Sequence, residues 1–171
     1  IADKIYFEQI DDVLPSFYSG LASSLTLGCA MAIPFLLRVW RVGGVEPWFV
    51  WCSFGLFVSL IIVLYAANYL VATKEYKMIT LYYMLGMVLA AALALVFHYW
   101  TGLSSIESIL YGLTIGFQLV AFLLFSYIRK YFSGNSRDYG AFFRYCKRFM
   151  PIFLTNLFYT LGLYVHNFVF W

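Results

Sequence analysis

The sequence predicts an all-α fold, a polytopic transmembrane helix bundle, and three observations carry that prediction. Hydrophobic residues make up 64% of the 171-residue chain and charged residues only 11%, more apolar side chain than one soluble core of this size can hide, so lipid must be its main solvent. The charges are confined to short stretches between apolar runs of about twenty residues or more, the length a helix needs to cross a bilayer. Six of the eleven basic residues, Arg129, Lys130, Arg137, Arg144, Lys147 and Arg148, share one stretch with a single acid, Asp138, which is the charge pattern of a loop that orients a membrane protein.

The net charge of +3 comes largely from that one loop, so it points to orientation and away from a nucleic-acid partner. Cys29, Cys52 and Cys146 stand far apart with no CxxC spacing and read as small packing residues. No signal or transit peptide is visible. The chain opens on Ile1 and stops inside an apolar run at Trp171, so it is expected to be a piece of a longer protein.

Residues 1–16 mix Asp3, Lys4, Glu8, Asp11 and Asp12 with apolar residues and read as a connector. From Val13 to Leu37 no formal charge occurs, and Gly20, Ser24, Gly28 and Ala32 form a four-residue stripe of small side chains along which another backbone can approach. Pro34 is expected to kink the outer end of this helix. Arg38, Trp40, Arg41, Gly43, Gly44 and Glu46 make a polar connection, after which Pro47 suits a first helical position.

The second span runs from Pro47 to Thr73, with Asn68 as its one carboxamide, expected in an interfacial or interhelical hydrogen bond. Lys74, Glu75, Tyr76 and Lys77 form a connector too short for a domain, which predicts a hairpin of two spans. The third span, Met78 to about Phe97, places Gly86, Ala90 and Ala94 on one stripe.

Ser104 and Glu107 then match a capping box: the serine side chain accepts from the Glu107 amide while the carboxylate accepts from the Ser104 amide. The competing reading of Glu107 is a proton-coupling carboxylate. The fourth span, Ser108 to Ile128, holds Gly112 and Gly116 as a GxxxG packing motif and Gln118 near its middle, either in an interhelical hydrogen bond or lining a cavity.

In the basic loop, residues 133–136 form a turn and Asp138 can cap a short helix. Its Phe142, Phe143, Cys146 and Phe149 oppose Arg144, Lys147 and Arg148, a pattern that suits the membrane surface, with the cations on lipid heads or a partner. The last segment, from Met150 and Pro151, carries Asn156, His166 and Asn167, the densest polar content of any span, so this helix is expected to line an interior.

Five spans place nine of the eleven basic residues on one side of the membrane and leave only Arg38 and Arg41 on the other. The positive-inside rule therefore puts residues 1–12 and 129–149 in the cytoplasm. Trp40, Trp48, Trp51, Trp100 and Trp171 then all fall near outer helix ends, as one aromatic belt. His98 and His166 share that side, but no motif supports a metal or haem, and no Ser/His/Asp set or paired carboxylate supports an enzyme.

Three stretches, IADKIYFEQIDDVLPSF, YLVATKEYKMITLYYMLG and LTNLFYTLGLYVHNFVFW, resemble the PelG family in their order along the chain. The resemblance implies the membrane component of a bacterial Pel exopolysaccharide export system, with a two-lobed fold similar to flippases and antiporters. Residues 1–128 would then hold the amino-terminal connector and four helices of the first lobe. Residues 129–149 would be the cytoplasmic inter-lobe loop, and residues 150–171 the truncated first helix of the second lobe.

The same resemblance implies a multi-pass protein of the bacterial cytoplasmic membrane that moves an amino-sugar-rich polymer, without a cofactor. It also implies two partners, a cytosolic glycosyltransferase and a membrane-anchored cyclic-di-GMP receptor. Gln118, Asn156, His166 and Asn167 are the expected path-lining residues. The family's closing motif often has an acid and a base where this chain has His166 and Asn167, which argues against a required ion pair there. The other reading is an anchoring subunit of a polysaccharide synthase complex with no path of its own.

Overall fold

The computed structural model describes residues 13–132, 140–152, 154, 155, 158, 159 and 162, and among the described residues there is no strand. The helices are α1 (Val13–Gly43), α2 (Pro47–Ala72), α3 (Tyr76–Thr101), α4 (Ser105–Tyr131) and the short α5 (Ala141–Arg148). The first four are each long and apolar enough to cross a membrane. Helical backbone resumes at Met150, and Thr155 Oγ1 donates to Pro151 O, one turn back, at 2.9 Å.

The helices run further than the charge-free windows. Arg38, Trp40 and Arg41, expected in the connection, form the last turns of α1, where a cation suits the negative end of the helix dipole. The helix continues through Pro34 as one α-helical element. What remains of the connection is Gly44 to Glu46, turned by Gly44 at φ 61°, before Pro47 opens α2.

The next connector is shorter still, because Tyr76 and Lys77 already belong to α3. Its backbone closes α2 as a Schellman turn: Lys74 N–H donates to Val71 O and Glu75 N–H to Leu70 O, both at 3.0 Å. Lys74 itself takes the left-handed conformation, φ 63°, that glycine usually supplies here. The expected α2–α3 hairpin is tight in chain, yet the two helices barely pack on each other; each leans on α4 instead.

α4 is therefore the centre of the bundle and the most buried of the four long helices. Its start is fixed by the capping box, with Glu107 N–H to Ser104 Oγ at 3.3 Å and Ser104 N–H to Glu107 Oε2 at 2.9 Å. Gly112 and Gly116 lie against Gly86, Ala90 and Ala94 of α3 so closely that a Cβ on Gly112 would stand 2.5 Å from Ala90 O. Toward α2, Thr114 Oγ1 reaches Cys52 O at 3.4 Å and Tyr111 stacks on Trp48 with ring centroids 5.5 Å apart.

At the other end, fully buried Phe17 of α1 meets Tyr69 of α2 edge-on at 4.9 Å and Phe125 of α4 at 5.9 Å. Val63, Leu70, Leu124 and Ile128 complete this core. Between helices in lipid there is little hydrophobic drive, so such close apolar contacts and backbone approaches carry the stability. The outward faces carry Met31, Met84, Val88 and Leu95, fully compatible with lipid as solvent.

Candidate functional site

A groove opens between α1, α2 and α4. Its cavity of about 510 Å³ is lined by Leu21, Phe54, Gly55, Val58, Ser59, Ile62, Gln118, Ala121, Phe122 and Phe125. The polar groups in this lining are few. Ser59 is buried and donates its hydroxyl to Gly55 O of its own helix at 2.8 Å. The Gln118 carboxamide is exposed to the groove and finds no hydrogen-bond partner among the described residues, so it links none of the described helices.

Gly55 makes the room for that amide: a Cβ there would lie 3.4 Å from Gln118 Nε2 and 3.4 Å from Thr114 Cγ2. Sequence reasoning missed Gly55, because a single glycine in an apolar span carries no marker of what faces it. A second cavity of about 370 Å³ lies between the end of α1 and the start of α2, lined by Ile33, Trp40, Trp51 and other apolar residues.

Two glycines of the first small-residue stripe face side chains of other helices. Gly20 sits where Tyr65 of α2 and Phe142 of α5 converge, Gly28 faces Ile61 and Phe57, and Ser24 between them is half-buried. Asn68 points outward and has no hydrogen bond among the described residues, in place of the interhelical bond that was one expectation for it. Asn156, His166 and Asn167 lie outside the described residues, as do the 133–136 turn, Asp138 and Trp171.

On α5, Arg144, Lys147 and Arg148 are exposed, Phe142 is half-buried against α1, and Phe143 and Cys146 are exposed on the remaining surface. Cys146 is thus not the packing residue the sequence suggested. It sits on an eight-residue helix whose described inward contact is Phe142. Arg148 stands 5.7 Å above the Phe149 ring, a cation–π contact.

His98 is accounted for locally, its Nδ1 lying 3.2 Å from Leu103 O across the Gly102 turn. Among the described residues no group of three or more His, Cys, Asp or Glu side chains is placed to hold a metal ion. Ser108 Oγ is buried with no partner among the described residues, on the packed side of α4 beside the Gly112 contact.

What the arrangement offers chemically is a membrane-embedded groove with one uncommitted amide donor and acceptor, walled by apolar side chains. No curated protein matches the chain, and no solved structure matches it. A family model does, over residues 1–171, and its description is "PelG: Putative exopolysaccharide Exporter (EPS-E)". With membrane-capable helices throughout its described core and a match along its whole length, the chain belongs to the PelG family of exopolysaccharide exporters.

Proposed function

We propose that this chain is part of a multi-pass component of the bacterial cytoplasmic membrane that carries an amino-sugar-rich exopolysaccharide outward between two lobes. Family membership supports the export role. The observation that carries the proposal for these residues is Gln118, a mid-span carboxamide facing a groove with no partner among the described residues. An unpaired amide facing hydrocarbon is costly, so the position makes sense if sugar hydroxyls or polar groups of the other lobe reach it. Neutral donors of this kind suit a neutral or cationic glycan better than an arginine-lined path would.

In this reading Asn156, His166 and Asn167 join Gln118 along the path. Residues 1–12 and 129–149 face the cytoplasm, where a glycosyltransferase and a membrane-anchored cyclic-di-GMP receptor are the proposed partners. Arg144, Lys147 and Arg148 rest on lipid heads.

The test begins with cells lacking the full-length gene, in which secreted and surface-bound amino-sugar polymer is measured with a lectin, with and without the gene restored. Polymer should vanish and return. Restoring instead a His166→Leu, Asn167→Val variant, or Gln118→Leu, should give normal membrane insertion with polymer well below wild type. Full output from these variants would move the role from path to anchoring subunit.

A further inference from the structure

One face of α4 changes character along its length. Gln118, Phe122, Phe125 with Ser126, and Arg129 follow at helical spacing, so they form a single stripe. Most of the stripe is left uncovered by the other described helices: Phe122 is 67% exposed, Gln118, Ser126, Arg129 and Lys130 are exposed as well, and Phe125 is half-buried with one side against Phe17. Phe122 and Phe125 line the groove that holds Gln118, and they also line a third cavity, of about 420 Å³, completed by Ser126, Arg129 and Lys130.

Two cations with no ion-pair partner among the described residues thus close the end of an apolar trough. From Gln118 to Arg129 the helix rises about 16 Å, close to half of the roughly 30 Å hydrocarbon core. The trough is one leaflet deep. We propose that it binds one anionic phospholipid of the leaflet on the basic side, its phosphate on Arg129 and Lys130 and one acyl chain along Phe125 and Phe122, stopping short of Gln118.

Charge decides the occupant. A zwitterionic head would set its own cation beside the two basic groups, whereas an anionic head meets them unopposed, and basic residues at a membrane surface each favour such lipids by about fivefold. Phe122 and Phe125 below them give an acyl chain an apolar surface and carry no hydrogen-bonding group. This inference needs α4 to span a bilayer but does not need the chain to move a polymer.

The experiment uses the full-length protein in nanodiscs containing phosphatidylglycerol or phosphatidylcholine, each carrying a photoactivatable group halfway along one acyl chain, with crosslinks mapped by mass spectrometry. Crosslinks from the phosphatidylglycerol probe should concentrate on Phe122 and Phe125, several-fold above those from phosphatidylcholine. Arg129→Gln with Lys130→Gln should lower them at least about fivefold, while the charge-preserving Arg129→Lys with Lys130→Arg retains them. Equal labelling by the two lipids in wild-type protein would overturn the proposal. So would labelling absent from this face, as expected if another helix of the full chain covers it.

Discussion

Gly86 of α3 and Gly116 of α4 are reciprocal contacts: a Cβ on Gly116 would stand 2.6 Å from Gly86 O, and one on Gly86 would stand 2.9 Å from Gly116 O. Each glycine leaves room for the other's backbone, and Gly86 also for the Val120 side chain, whose Cγ2 would stand 2.1 Å from a Cβ there. This crossing, with Gly112 against Ala90 and Ala94 one turn away, fixes α3 to the central helix.

Enlarging the crossing should therefore separate the two helices. The obstruction is backbone, which cannot swing aside as a side-chain tip can. Gly116→Val should destabilise the protein by about 1–3 kcal/mol, the usual cost of overpacking, seen as a lower unfolding temperature in detergent. Gly43→Ala is the comparison, since its nearest side-chain atom would be 3.5 Å away, an ordinary contact. Equal unfolding temperatures for the two variants would show that the seam yields.

The second prediction concerns how α5 is held. Phe142 is its described inward contact, reaching the notch at Gly20 beside the Tyr65 hydroxyl, which itself lies 3.4 Å from the Tyr69 hydroxyl. Phe142→Ala should release α5 from α1 without disturbing the Phe17 core. Hydrogen exchange in residues 141–148 should then speed up, with the exchange of α4 unchanged. If α5 amides keep wild-type protection, the membrane surface and not Phe142 holds the helix.

These two contacts show where the sequence was legible. The stripes of Gly86, Ala90 and Ala94 and of Gly112 and Gly116 were readable as spacing, because helical periodicity is local. That they face each other was not, since partner choice among apolar helices depends on shapes distributed over the whole chain. Charge and composition gave four of the five expected spans, the four that are described, and the spacing of Ser104 and Glu107 gave the capping box. They misplaced helix ends by several residues, because Arg38, Trp40, Arg41, Tyr76 and Lys77 are polar enough to leave the bilayer yet helix-compatible enough to extend it.

The groove was legible only in part. Gln118 stood out as a lone mid-span amide, but Gly55 opposite it and the Phe122 to Arg129 stripe gained meaning only once α1, α2 and α4 were seen to leave one side of α4 open. A lone glycine or a pair of phenylalanines is ordinary in an apolar run, so neither marks a groove by itself.

Glu107 supplies the third prediction. Its carboxylate accepts from the Ser104 amide at 2.9 Å at the start of α4, a capping geometry. A neutral carboxamide preserves an acceptor oxygen there. Glu107→Gln should leave polymer export near wild type, while Ser104→Ala should cost about 1 kcal/mol of stability through loss of the cap, measured by thermal unfolding. Export abolished by Glu107→Gln in a stably folded protein would instead make this carboxylate a proton-coupling group.

The last prediction tests the orientation from which the path and lipid assignments are argued. Thr101 lies at the end of α3, and Lys147 lies on the exposed side of α5, beyond α4. One membrane crossing separates them, so they must face opposite compartments. Five spans would put nine of eleven basic residues on the side of Lys147, for which the positive-inside rule predicts the cytoplasm. In full-length protein with its other cysteines replaced, Thr101→Cys should react with a membrane-impermeant maleimide in intact spheroplasts. Lys147→Cys should react only after the membrane is opened. Reversal of the two would invert the bundle and put the Arg129 and Lys130 end in the outer leaflet. Labelling of both in intact spheroplasts would mean that α4 does not cross the membrane, and with it the one-leaflet depth of the Gln118 to Arg129 face would lose its meaning.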